Sequence, residues 1–285
     1  MRAETKTTRR AFLTALGAAV AGGAVAVGGY HYCAHMEPQS LSVERVRVSL
    51  ENLPPALEGL TLVQMSDFHL HPFTKIDLVR RAIDLTNDLG ADLVLLTGDY
   101  VFAEPQAIFD LAPALADLEA TLGVFSVLGN HDLWTDARMI ESGLERAGIP
   151  VLLNRGMELQ VGGQPLYVAG LDDGWSGHPD LGRALAHRSG DVPTILLMHE
   201  PDWADEVSRD GRVSLQLSGH SHGGQVRVPG IGAPILPRFG REYDQGLYRV
   251  GEMWLYTNRG IGVIAPPLRF RCPPEITEIT LVRQS

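Results

Sequence analysis

Five short apolar segments, each followed by carboxylate, imidazole or amide side chains, constrain the fold of this chain more than any other feature. The segments are residues 60–65, 93–96, 124–128, 194–198 and 213–217, and the polar residues that follow them are Asp67, His69, Asp99, Asn130, His131, His199, His220 and His222. Predicted helices alternate with several of these segments, which is typical of an α/β fold. In α/β sheets, ligands bind outside the carboxyl ends of the strands. We therefore expect these side chains to converge on one rim and to form a metal site.

The remaining elements are predicted from periodicity and from turn residues. Helical spacing of apolar residues and capping residues predict helices at 75–89, at 105–122 and from Thr135 or Asp136 to Ala147. Further strands are expected at residues 46–50, 151–153 and 166–171, with a β-rich tail over 246–282. Since no shift in composition marks a linker within residues 40–285, we predict one domain there.

The composition excludes several classes of protein. The chain has 285 residues, of which 45% are hydrophobic, and this is enough to bury a sizeable core. Its formal net charge of −10 argues against a nucleic-acid partner, because such proteins carry clustered Lys and Arg. Its two cysteines, Cys33 and Cys272, exclude a disulfide framework and a Cys-rich zinc site, and leave their own pairing open.

Residues 1–35 are predicted to be a leader that precedes the domain. Arg9 and Arg10, followed by Ala-Phe-Leu, resemble a twin-arginine export signal, and an apolar run rich in Ala and Gly extends to Tyr30. Ala and Gly drive membrane insertion poorly, so a transmembrane anchor is the weaker interpretation. We expect the twin-arginine machinery to export the protein to the periplasm or another extracytoplasmic site. Cleavage of the leader and anchoring to the membrane both stay open.

The sequence Gly-His-Ser-His-Gly-Gly at residues 219–224 is the strongest single motif. Alternate residues of an extended chain share a face, so His220 and His222 can point to one place. The flanking glycines allow close backbone approach and positive φ angles. A lone histidine is usually structural, but two that follow the earlier strand-end motifs indicate a binding site.

Taken in order, Asp-x-His, Gly-Asp, Gly-Asn-His-Asp, His and Gly-His-x-His resemble the calcineurin-like metallophosphoesterase superfamily. The resemblance covers residues 60–282. Met-His-Glu-Pro-Asp at residues 198–202 and Asn-Arg-Gly-Ile-Gly at residues 258–262 are similar to the bacterial branch of exported or membrane-attached phosphodiesterases. The resemblance implies an α/β fold with a β-sandwich core flanked by helices, and a metal site at the carboxyl ends of the strands.

The resemblance also implies a centre of two divalent ions. One ion would be held by Asp67, His69, Asp99 and His222, and the other by Asp99, Asn130, His199 and His220, with Asp99 bridging. Mixed carboxylate, imidazole and amide donors suit Mn, Fe, Zn or Co, whereas an all-oxygen set suits Mg or Ca. The implied activity is phosphoester hydrolysis, as a phosphodiesterase, through a hydroxide that bridges the metals. By the same resemblance, His131 stabilises or protonates the leaving group.

The sequence departs from the family pattern beside this histidine. Phe102 stands where many relatives have an acidic residue that supports the counterpart of His131, so the partner of His131 is open, and Glu104 is one candidate. The arginine typical of protein phosphatases is also missing, which counts against that activity. His71, Trp134 and Trp175 are candidates for the mouth of the site, and plain packing or surface roles for them stay open.

Two other functions stay open at this point. The first is hydrolysis of the pyrophosphate of a lipid-linked substrate such as UDP-2,3-diacylglucosamine, which some relatives perform. Export counts against it, because nucleotide-linked precursors are cytoplasmic. The second is a noncatalytic, metal-bound scaffold at the envelope, which would be expected to lack a ligand or His131.

Overall fold

The computed structural model describes residues 9–284 of the chain. Residues 1–8, which include the start of the predicted export signal at Thr8, lie outside the described residues, as does Ser285. The first helix, α1 (Arg9–His31), leaves apolar side chains such as Val25 and Val27 exposed. Within residues 9–284, none of the helices combines the length and the apolarity needed to cross a membrane.

Beyond α1, the described residues form two β-sheets and six short α-helices. The strands are β1 (Ser42–Leu50), β2 (Thr61–Met65), β3 (Leu93–Leu96), β4 (Val124–Ser126), β5 (Arg155–Val161), β6 (Gln164–Gly170), β7 (Thr194–Leu197), β8 (Leu215–Ser218), β9 (Gly246–Val250), β10 (Met253–Thr257) and β11 (Glu275–Arg283). The helices are α2 (Ile76–Asp88), α3 (Ile108–Leu115), α4 (Asn130–Thr135), α5 (Ala137–Arg146), α6 (Leu181–Ala184) and α7 (Ala204–Val207).

Parallel pairing dominates both sheets. The first sheet has the order β1-β11-β2-β3-β4, in which β2, β3 and β4 are parallel and β11 is antiparallel to β2. The second has the order β5-β6-β7-β8-β10-β9, in which β6, β7, β8 and β10 are parallel and the two edge strands are antiparallel. Because parallel strands end at the same edge, the loops after β2, β3 and β4 share one edge, and those after β7 and β8 share another.

The two sheets pack face to face with helices outside them. Leu62 and Leu95 of the first sheet share a buried cluster with Leu197 and Leu217 of the second. Because successive side chains of a strand point to opposite faces, the neighbouring residue Val94 packs outward, into the cluster that includes helices α2, α3 and α5. Another cluster joins the outer face of the second sheet to α6 and α7. This arrangement confirms the predicted α/β fold with a β-sandwich core flanked by helices.

One predicted strand does not form, and one predicted helix is shorter than expected. Residues 151–153 are not a strand, since only Val151 makes an isolated bridge, to Ser126. The predicted helix 105–122 ends at Leu115, because the chain then turns so that the amide of Leu122 donates to the carbonyl of Asp92 and leads into β4. The helix after residue 135 was predicted correctly, and the Oδ1 atom of Asp136 caps it by accepting from the amide of Met139 at 3.0 Å.

The short turns between α1 and β1 are attached to the domain. The carbonyl oxygen of Cys33 accepts a hydrogen bond from the amide of Arg269 at 2.9 Å. The buried carboxylate of Glu37 accepts from the amide of Cys272 at 2.6 Å. Cys33 and Cys272 are both free thiols, and that of Cys272 donates to the carbonyl of His222 at 3.2 Å. The segment around residue 270 therefore lies between the end of α1 and one of the predicted metal ligands.

Candidate metal centre

All seven predicted metal ligands lie just beyond the carboxyl ends of five strands. These strands are β2, β3 and β4 of the first sheet and β7 and β8 of the second. The seven side chains are buried, with exposures of 5% or less: Asp67, His69, Asp99, Asn130, His199, His220 and His222. The structure thus brings residues from distant parts of the sequence to one rim of the sandwich.

Asp67, His69 and His222 form a first group of possible ligands, with their ligand atoms within 4.8 Å of one another. The Nε2 atoms of His69 and His222 are 2.9 Å apart. The Nε2 atom of His222 lies 3.2 Å from Oδ1 of Asp67. Ring nitrogens and a carboxylate oxygen that converge in this way are the donors that a divalent transition metal takes.

Asp99, His199 and His220 form a second group. The Nε2 atom of His199 is 3.2 Å from Oδ2 of Asp99. One ring nitrogen of each histidine is held by a backbone carbonyl. Nδ1 of His199 lies 2.6 Å from the carbonyl oxygen of Thr97, and Nε2 of His220 lies 2.7 Å from that of Arg238. Such bonds fix the tautomer and the orientation of a metal-binding imidazole. They leave Nε2 of His199 and Nδ1 of His220 available for a metal.

Asp99 connects the two groups. Its Oδ2 atom is also 3.4 Å from Nε2 of His69, while its Oδ1 atom accepts the amide of His131 at 2.8 Å. The Oδ1 atom of Asn130 is buried without a hydrogen-bond partner among the described residues. Unpartnered buried polar atoms are rare unless an ion or water satisfies them. The donor set therefore fits divalent metal binding.

The charges of the candidate ligands suit cation binding. Burial alone would raise the pKa of Asp67 and of Asp99, but neighbouring histidines, chiefly His222 and His199 respectively, hold both pKa values below their usual range. Burial lowers the pKa of His69 and of His220 to about 4. These carboxylates are therefore ionised and these two imidazoles neutral at neutral pH, which are the states that bind metals.

His199 behaves differently from these two histidines. Burial alone would lower its pKa, but Asp99 and then Asp67 raise it well above the usual value. A metal at the second group therefore has to displace a proton from this ring.

The backbone at the centre is unusual. Five of the seven predicted ligands have positive φ angles: Asp67 (52°), His69 (43°), Asp99 (57°), His220 (68°) and His222 (53°). Such angles are uncommon for residues with a Cβ and persist where the surrounding structure imposes them, often at functional sites. At Gly129 and Gly219, an added Cβ would collide with Asp99 and with Ser66 respectively, so these turns also need glycine.

A backbone carbonyl supports His131. Its Nδ1 atom lies 2.8 Å from the carbonyl oxygen of Phe102, and the two rings stack with centroids 5.1 Å apart. A ring nitrogen of His131 lies within 4.8 Å of the ligand atoms of His69 and Asp99. Glu104 is exposed and is not the partner. The backbone carbonyl of Phe102 thus orients His131, in place of the acidic side chain that many relatives have at this position.

Asp132 is a site residue to which the sequence analysis gave no role. It is fully buried, and its carboxylate accepts the amides of Asp99 and Tyr100 at 2.9 Å and that of Gly129 at 3.0 Å. It therefore joins the loops that carry Asp99 and Asn130. Its position as the last residue of the Gly-Asn-His-Asp motif was the feature of the sequence that could have indicated this role.

Two tryptophans line the mouth of the centre. Trp134 is 50% exposed and its ring lies 4.8 Å from that of His131, while Trp175 is 36% exposed and lies 5.8 Å from His220. The indole nitrogen of Trp134 donates to Oγ of Ser176 at 2.7 Å, which joins loops from the two sheets. His71 belongs to neither ligand group, and its Nε2 atom lies 4.0 Å from Asp110.

Comparison with known proteins agrees with this geometry. The family model for calcineurin-like phosphoesterases matches residues 60–224. The chain is 35% identical over 284 residues to the uncharacterized metallophosphoesterase YkuE of Bacillus subtilis, covering 97% of this chain and 98% of that protein. It is 34% identical over 281 residues to the phosphodiesterase YaeI of Escherichia coli, covering 96% and 99% respectively. A transmembrane protein with metallophosphoesterase domain from Danio rerio is 32% identical over 256 residues, covering 85% of this chain and 58% of that protein.

The fold, the clustered ligands and these relatives define a metal-dependent phosphoesterase, a hydrolase. The chain belongs to the calcineurin-like phosphoesterase family.

Proposed function

We propose that the chain is a phosphodiesterase that holds two divalent metal ions at the candidate metal centre. The observation that carries this proposal is the pair of neighbouring ligand groups, one of Asp67, His69 and His222 and the other of Asp99, His199 and His220. Two neighbouring cations repel each other, and an anionic carboxylate between them reduces that repulsion. Asp99 has this position, since its Oδ2 atom is close to both His69 and His199.

The residues of the chain divide the work of hydrolysis. When bound, the metal ions would polarise the phosphoryl oxygens and lower the pKa of bound water. Asp67 and Asp99 would supply negative charge, and His69, His199, His220, His222 and Asn130 would complete the donor set. His131, oriented by the carbonyl of Phe102, would hold a proton for the leaving oxygen.

The surroundings of the centre favour a diester. The ring of Phe102 stacks on that of His131 with centroids 5.1 Å apart, so an apolar surface borders the centre at this point. The aromatic rings of Trp134 and Trp175 offer a surface for the second organic group of a diester. The relative YaeI is named a phosphodiesterase, which agrees with this choice.

Substrate preference and metal dependence test the proposal. Purified full-length protein with added Mn²⁺ should hydrolyse bis-p-nitrophenyl phosphate with a much higher kcat/KM than p-nitrophenyl phosphate. A chelator should abolish the activity, and Mn²⁺, Fe²⁺, Zn²⁺ or Co²⁺ should restore it. A preference for the monoester would reject the diesterase proposal, and full activity in the metal-free protein would reject metal-dependent hydrolysis.

We also propose that the protein is exported by the twin-arginine route and acts outside the cytoplasm, with or without attachment to the membrane through its leader. The support is Arg9-Arg10 before an Ala/Gly-rich apolar run. Export in the folded state would let the chain acquire its metals before it leaves. Replacing both arginines by lysine should retain the protein in the cytoplasm, and unchanged delivery to the envelope would reject this route.

A further inference from the structure

We propose that the loop of residues 226–241, here called the isoleucine loop, docks on an anionic lipid surface beside the metal centre. Ile231 is 75% exposed and Ile235 is 79% exposed, and Val228 on the same loop is 36% exposed. Outside α1, the two isoleucines are the most exposed large hydrophobic side chains among the described residues. Adjacent exposed apolar side chains mark interaction sites more often than isolated ones do.

The charge of the isoleucine loop identifies the kind of partner. The loop contains Arg227, Arg238 and Arg241 and no acidic residue, although the chain as a whole has a net charge of −10. Arg227 pairs with Asp244 at 2.6 Å, while Arg238 and Arg241 are exposed. Exposed apolar side chains that are followed by exposed arginines suit the boundary of an anionic bilayer, where the former enter the acyl region and the latter meet the headgroups.

A neighbouring segment extends the basic surface. Residues 263–271 also lack acidic residues and end at the exposed Arg271. The two segments are joined at Phe270, whose carbonyl accepts the amide of Arg227 and whose amide donates to the carbonyl of Gln225, each at 2.9 Å. Two segments that contain no acidic residue are therefore paired with each other, in a protein with a net charge of −10.

The base of the isoleucine loop is fixed to the metal centre. The carbonyl oxygen of Arg238 holds Nε2 of His220 at 2.7 Å. Gly224 packs so closely against the loop that an added Cβ would collide with Ala233 and come into tight contact with the carbonyl of Ile235. A surface bound at the tip of the loop would consequently lie beside the mouth of the centre.

Helix α1 joins the same region. The segment that pairs with the isoleucine loop also donates the amide of Arg269 to the carbonyl of Cys33, just after the end of α1. Exposed apolar side chains of α1, such as Val20 and Val25, are thus connected to the loop through one short segment. Two apolar features attached at one place favour a lipid surface as their common partner.

Vesicle sedimentation of the full-length protein tests the docking. Binding to vesicles of phosphatidylcholine with phosphatidylglycerol should exceed binding to phosphatidylcholine alone and should weaken in high salt. The double variant Ile231→Ser/Ile235→Ser should lower the partition coefficient on anionic vesicles on the order of tenfold, because two apolar side chains no longer enter the bilayer. The control Phe109→Ser, which changes a 53% exposed residue on α3, should bind as the wild type does.

The outcomes separate this proposal from the proposed function. Hydrolysis of soluble bis-p-nitrophenyl phosphate should be equal in the wild type and both variants, because neither isoleucine belongs to the metal centre. Equal vesicle binding by the wild type and the double variant, or no binding by either, would overturn the docking surface. Light scattering that shows a dimer for the wild type and a monomer for the double variant would overturn it as well, in favour of contact with a second copy of the chain.

Discussion

The two sheets contribute different chemistry to the candidate metal centre. Loops of the first sheet carry both carboxylates, the amide and one imidazole: Asp67, Asp99, Asn130 and His69. Loops of the second sheet carry only imidazoles: His199, His220 and His222. Among the seven candidate ligands, the first sheet thus supplies all of the oxygen donors and the negative charge, and the second supplies only ring nitrogens.

This division shows why the sandwich is required. Each of the two proposed metal groups takes ligands from both sheets, since His222 joins Asp67 and His69, while His199 and His220 join Asp99. The first sheet alone offers one imidazole and the second offers no oxygen donor, so only together do they supply several imidazoles and carboxylates for transition metals. Burial of the apolar faces between the sheets is therefore also what assembles the centre.

The largest effect is expected where the two groups meet. Asp99→Asn removes the charge between them, so kcat/KM for the diester should fall by more than the roughly 10–100-fold loss typical of residues that only orient metal ligands. Metal content measured by mass spectrometry should fall as well. Asp191→Asn is the matched control, because that side chain is fully exposed. Near-normal activity and metal content in Asp99→Asn would contradict the proposed centre.

Paired histidine variants of the second sheet sharpen the comparison. His222→Ala removes a ligand from the group of Asp67, and His199→Ala removes one from the group of Asp99. Because each of these histidines belongs to only one group, each variant should lose about one bound ion per chain and retain the other. His178→Ala, at an exposed position, serves as the control. Metal titration followed by calorimetry measures the stoichiometry, and an unchanged count in both variants would argue against two groups.

His131 separates proton transfer from metal binding. His131→Gln should reduce kcat about 100-fold or more, the usual contribution of a general acid, while the metal content stays unchanged. The loss should be smaller for a diester with a good leaving group than for an alkyl diester, because the former needs less protonation. Equal losses for both substrates would place His131 outside the departure step.

The last prediction concerns the free energy of unfolding and the segment around residue 270, which lies between the end of α1 and the loop of His222. The buried Arg269 donates to the carbonyls of Arg259, Gly260, Gly262 and Cys272. Arg269→Met should lower the free energy of unfolding by about 3 kcal/mol, because buried carbonyls lose their partners. The exposed neighbour provides the control, since Arg271→Met should change it by less than about 0.5 kcal/mol. Urea unfolding measures the free energy of unfolding of both variants. If Arg269→Met were as stable as the wild type, a structural role for Arg269 would be refuted.

The sequence predicted those parts of the site that side-chain identity specifies. The convergence of Asp67, His69, Asp99 and the later candidate ligands could be predicted because carboxylates and imidazoles repeatedly follow apolar strands. The sandwich followed from the resemblance, and the alternation of strands and helices supported it. Both predictions depend on patterns that persist along the chain.

What the sequence did not reveal depends on backbone groups. The partner of His131 is a carbonyl, which every residue carries, so Phe102 gave no chemical signal. Asp132 acts on three amides that become neighbours only when β3 and β4 pair. The short apolar stretch 151–153 was taken for a strand because buried loops and strands can have the same composition.

The position of β11 has a consequence for truncated forms of the chain. This strand lies between β1 and β2 and pairs with both, so without it each of those two strands has an unpaired edge inside the first sheet. A chain shortened before residue 275 keeps all seven candidate ligand residues but cannot complete the sheet that carries Asp67 and Asp99. Loss of β11 should therefore impair the candidate metal centre, although the strand contributes no ligand to it.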